Sequence, residues 1–104
     1  MRKIVAGLFV SLDGVVEAPE RWTGPYFTPE LGQVVGSLIA AGDTLLLGRV
    51  TYETFAAAFG GQTGGDADMM NAVPKVVVST TLDDAAWENS TLLRGDVAGE
   101  IARL

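Results

Sequence analysis

The 104-residue chain contains no cysteine and no histidine. Those absences exclude disulfides, thiolate nucleophiles, Cys/His zinc sites and a Ser-His-Asp triad within it. Positive charge is scarce: seven Lys and Arg stand against thirteen Asp and Glu, a formal net charge of −6. No nucleic-acid partner is expected on that balance, although a pocket lined by one arginine still suits one phosphate. Apolar runs fall short of the about 20 residues that span a membrane, and the stretch after Arg2 and Lys3 is broken early by Ser11, Asp13 and Gly14. A soluble, cytoplasmic protein with no membrane partner is the expectation. What the chain does have is 48% hydrophobic residues, enough to argue for a folded core, and a length that suits one domain over residues 1–104.

The apolar pattern predicts an α/β layer. Residues 3–10 are almost continuously apolar, as in a strand covered on both faces. A proline- and glycine-interrupted loop follows, and then Thr28, Pro29 and Glu30 read as N-cap, first helical residue and acidic first turn. Leu31, Val34, Val35, Leu38 and Ile39 recur at helical spacing after it. Residues 44–47 suit a second strand, leading into a helix through Tyr52, Phe55 and Phe59. The run "GGQTGGDAD" over residues 60–68 reads as a flexible break, with Asp66 and Asp68 as solvated loop charges. Pro74 stands just outside a β-rich run at 75–79 that suits the middle of a sheet. Residues 91–93 form a weaker strand, and Asp96 caps a last helix over 96–104. The order favours a three-layer fold with a largely parallel sheet and flanking helices. A last helix with no strand after it suggests that the chain either ends early or completes its sheet by association, and a homo-oligomer is expected.

Four groups of residues carry candidate chemistry. Asp13 and Gly14 in "SLDGVV" end the first expected strand, where the glycine allows close approach and the carboxylate accepts hydrogen bonds, although the pair is also common turn punctuation. Gly48 and Arg49 stand at a strand-to-helix corner, where backbone amides and a guanidinium suit a phosphate; Thr51 either adds its hydroxyl or caps the helix, and Arg49 alternatively pairs with a surface carboxylate. This is neither a Walker A sequence nor a G-x-G-x-x-G fingerprint. Ser79, Thr80 and Thr81 follow the third strand and either bind a ligand at the sheet's carboxyl edge or simply end the strand. Trp22, Tyr26, Phe27 and Glu30 suit either a flat heterocycle with a proton donor or ordinary loop packing and a helix-dipole contact. No carboxylate spacing points to a metal.

Together, "IVAGLFVSLDGVV", "DTLLLGRVTYETF", "MNAVPKVVVSTTL" and "STLLRGD" resemble the dihydrofolate reductase-like family, in the branch related to the reductase domain of bacterial riboflavin biosynthesis. The resemblance implies an NADPH-dependent oxidoreductase that transfers hydride to a small heterocyclic or other organic substrate. It further implies that Leu12, Asp13 and Gly14 approach the nicotinamide and substrate, and that Gly48, Arg49 and Thr51 bind cofactor phosphates. Arg49 would read the extra phosphate on the adenosine ribose, with Ser79 and Thr80 on the adenosine side. Trp22 and Phe27 would contact substrate, and Glu30 stands roughly where relatives carry a substrate-binding acid. The four blocks cover the amino-terminal portion of that fold, without the later strands and glycine-rich pyrophosphate segment. A non-catalytic nucleotide-binding or assembly module, or an inactive fragment, is the competing expectation.

Overall fold

The computed structural model describes residues 2–104. They divide into a first compact unit ending at Ala41 and a second, Gly42–Leu104. The first holds two short 3-10 helices, Pro19–Arg21 and Gly24–Tyr26, and then α1, Pro29–Ala40. The helix starts where its sequence says it should: Thr28 is extended, and its Oγ1 accepts the Leu31 N–H at 3.3 Å with Pro29 at the first position. Leu31, Val35 and Ile39 are half-buried, and no residue of α1 is fully buried.

One expectation fails in this unit. Residues 3–10 form no strand; Ile4, Val5 and Leu8 are 69–75% exposed. An apolar run becomes a strand only where a neighbour offers a ladder, and among its described residues the regular elements of this unit are helices alone. Asp13 consequently does not sit at a strand end.

The second unit is built on three parallel strands, β1 (Leu45–Gly48), β2 (Lys75–Val78) and β3 (Ser90–Leu93), in the order β1-β2-β3. The crossover from β1 to β2 carries α2 (Arg49–Phe59) and α3 (Gly65–Ala72), and α4 (Val97–Ala102) follows β3. Asp96 caps α4 as expected, its Oδ1 accepting the Gly99 N–H at 3.1 Å. The fold is therefore α/β, a parallel sheet with flanking helices. Leu47, Val76, Val77 and Leu93 of the sheet pack with Tyr52 of α2, Ala67 and Met70 of α3, and Trp87 to form the core. Among the described residues no helix is long and apolar enough to cross a membrane.

Two further expectations are corrected here. The break over 60–68 gives way to α3 at Gly65, so Asp66 and Asp68 lie exposed in a helical first turn, where a carboxylate suits the dipole. Ala67, Met70 and Asn71 supply its buried face at helical spacing. Thr51 does not cap α2: β1 passes straight into the helix, so Gly48 holds the N-cap position and Thr51 lies two residues inside.

A buried polar network ties the amino edge of the sheet to α2 and α3. Lys75, first residue of β2, is 1% exposed, and its Nζ donates to the carbonyls of Met70 (2.7 Å), Asn71 (3.2 Å) and Val73 (2.8 Å). The same ammonium lies 4.2 Å from the Trp87 ring centroid. Trp87 Nε1 donates to Asn71 Oδ1 at 2.6 Å, Asn71 Nδ2 to the Gln62 carbonyl at 3.1 Å, and the Trp87 N–H to Tyr52 Oη at 3.0 Å. Gly60 closes the same corner, because a β-carbon there would lie 2.5 Å from the Ala56 carbonyl oxygen.

Burial lowers the Lys75 pKa from its ordinary 10.5, with nearby Glu88 opposing the shift. Between the lowered folded value and 10.5 the unfolded chain holds a proton that the folded chain has released, so this group's contribution to stability rises with pH across that window. Urea unfolding of wild type and Lys75→Met at a series of pH values checks this. The stability difference should move in favour of wild type as pH approaches 10.5; a difference that is flat or moves the other way contradicts it.

Candidate functional site

Parallel pairing brings the ends of β1, β2 and β3 to one edge. Gly48 aligns with Val78, and Val78 with Leu93. The residues that leave the sheet there are Arg49, Ser79 and Arg94, one from each strand. Crevices at this carboxyl edge are where open α/β sheets bind ligands.

Arg49 is the first residue of α2, directly after Gly48, which supplies no side-chain cap. The first amides of that helix are free of intrahelical partners and the space over the Gly48 α-carbon is open. Arg49 Nη1 donates to both Glu53 carboxylate oxygens, at 3.1 and 3.2 Å, one helical turn along. Nη2 and Nε have no acceptor among the described residues. Thr51 is exposed on the same first turn.

Ser79 has hydrogen-bond partners within its own turn. Its buried Oγ accepts the N–H groups of Thr81 and Leu82, each at 3.1 Å, and lies 3.3 Å from Thr81 Oγ1. The hydroxyl shapes the turn after β2 and holds Thr80 exposed at its tip. Arg94, absent from the sequence-derived candidates, reaches the same turn: its Nη2 donates to the Leu82 carbonyl. Its signal in the sequence was the "LLRGD" strand end, where a basic residue repeats the pattern of "LLLGR".

The remaining candidates belong to the first unit. Leu12, Asp13 and Gly14 occupy a tight turn in which Gly14 N–H donates to the Ser11 carbonyl at 2.9 Å and Gly14 takes φ +90°. The Asp13 carboxylate accepts the Ser11 hydroxyl, and Leu12 points into solvent. Trp22 Nε1 donates to the Glu17 carbonyl at 3.1 Å, and with Arg21 and Val15 the indole lines a shallow cavity of about 360 Å³. Phe27 meets Phe9 edge-on at 6.3 Å, and Glu30 is exposed in the first turn of α1. Among the described residues no three carboxylates are grouped to hold a metal ion.

The second unit is an α/β layer whose parallel sheet carries a helix N-terminus and two arginines at its carboxyl edge. The profile of the RibD C-terminal domain family matches residues 2–101. The chain belongs to that family, whose members are reductase-type domains with the dihydrofolate reductase-like fold. No curated protein gives a significant match.

Arg49 and Glu53 are 44% and 50% exposed as side chains, so their ion pair contributes little to folding. Glu53→Gln should change unfolding free energy by no more than about 0.5 kcal/mol. A loss several times larger in denaturant titration would assign the pair a structural role instead.

Proposed function

We propose that the chain acts as an NADPH-dependent oxidoreductase domain that reduces a small heterocyclic or related organic substrate. The observation that carries this reading is the carboxyl-edge corner of β1 and α2 in a member of the RibD C-terminal domain family. The donor set fits a nucleotide phosphate: amides without intrahelical acceptors, an open approach over Gly48, and a guanidinium with two uncommitted nitrogens. Gly48, Arg49 and Thr51 would hold the phosphates, Arg49 that of the adenosine ribose. Thr80 would border the adenosine from a turn kept in shape by Ser79.

When bound, NADPH supplies the hydride, which leaves the protein to bind and orient. Trp22 and Phe27 offer apolar surface to a flat substrate. Asp13 and Glu30 supply the carboxylates that orient its polar groups, since hydrogen bonds to a heterocycle fix which atom receives the hydride.

Fluorescence titration with NADPH and NADH tests the phosphate assignment. Arg49→Ala should weaken NADPH about tenfold or more, the loss of a charge-assisted contact, and leave NADH within about twofold. Equal affinity of wild type and variant for NADPH would remove Arg49 from the site.

A further inference from the structure

We infer that Arg94 is a second phosphate-binding residue, and that Arg94 and Arg49 close from opposite sides on the 2′-phosphate of the cofactor's adenosine ribose. The inference rests on the NADPH reading above and adds a residue to it.

The register carries the placement. Arg49 and Arg94 directly follow partners of Val78 on the two outer strands, so they flank the end of the central strand. Two strand spacings separate their backbones by about 10 Å. That gap admits one phosphate between two arginine side chains. Each guanidinium is anchored by one terminal nitrogen only, Arg49 Nη1 to Glu53 and Arg94 Nη2 to the Leu82 carbonyl. Nε and the other terminal nitrogen of each have no acceptor among the described residues. Both guanidiniums still have donors to offer.

The anchor of Arg94 has a second consequence. Leu82 N–H donates to Ser79 Oγ while its carbonyl accepts from Arg94, so one residue links the end of β3 to the turn after β2. A ligand resting on Thr80 therefore meets a surface whose cation is fixed to the same turn. The other cations of the second unit are otherwise committed. Lys75 is buried at the opposite edge, and Arg103 is paired with Glu100 in α4. The acidic neighbours Glu53, Asp83, Asp84 and Asp96 surround the site in sequence. A single arginine among them would have to hold a dianion alone, and two share its charge.

The test is calorimetric titration of the whole chain with 2′,5′-ADP, 5′-AMP, NADPH and NADH, using wild type, Arg94→Gln, Arg94→Lys and Arg103→Gln. Arg94→Gln should weaken 2′,5′-ADP and NADPH about tenfold and leave 5′-AMP and NADH within about twofold. Arg94→Lys should fall between, because it keeps the charge and loses the fork. Arg103→Gln, which alters net charge equally, should match wild type. If wild type binds NADPH and both Arg94 variants bind it equally well, the inference fails and the reductase reading stands. Equal losses for all four ligands would make Arg94 a structural tether of the Leu82 turn and overturn the inference. Failure of wild type to bind either NADPH or 2′,5′-ADP overturns both.

Discussion

The ammonium of Lys75 is the interaction on which the second unit depends. A buried lysine is costly unless its donors are satisfied, and here three carbonyls at the end of α3 accept from it while the Trp87 ring covers it. Carbonyls at a helix carboxyl end lack intrahelical donors and carry the negative end of the dipole, so cation and helix end satisfy each other. Because Lys75 is also the first residue of the central strand, the contact fixes where β2 starts relative to α3. Trp87 and Asn71 extend it to the segment before β3, and Tyr52 extends it to α2. One side chain thereby sets the relation of every element around the amino edge of the sheet.

The opposite edge is organised on a contrasting principle. Its polar groups are exposed and only half committed: the first amides of α2, the Arg49 guanidinium, Thr80, and Arg94. Parallel strands transmit the rigidity of one edge to the other, since the register fixed at Lys75 determines that Arg49, Ser79 and Arg94 emerge side by side. Residues that leave rigid elements keep a fixed spacing at their backbones.

Much of this was legible in the sequence. Thr28-Pro29-Glu30 and Asp96 announce helix starts through capping chemistry that needs no tertiary partner. The run at residues 75–79 reads as a central strand because Pro74 lies outside it, and β2 is the central strand. Residues 3–10 misled because an apolar run records affinity for a core without recording whether a neighbouring strand exists. The glycines of residues 60–65 hid α3, whose pattern of Ala67, Met70 and Asn71 is short and includes a buried polar residue whose side chain is satisfied by Trp87 and the Gln62 carbonyl. Lys75 was legible only as the first residue of the run at 75–79. At the site, Gly48 and Arg49 were visible as a corner, whereas Arg94 became a candidate only once the register set it beside Ser79.

The central claim is that the carboxyl edge of β1-β2-β3 is the ligand face. The alternative face on this unit is the shallow hollow of about 430 Å³ at the amino edge, bordered by Tyr52, Gly60, Trp87 and Glu88. Amide chemical-shift mapping of the isotope-labelled chain during NADPH addition separates the two most directly. The account predicts the largest shifts at Gly48 to Thr51, Thr80 to Leu82 and Arg94 to Gly95, with the amides of Gly60, Trp87 and Glu88 unmoved; shifts centred on Trp87 and Gly60 instead would contradict it.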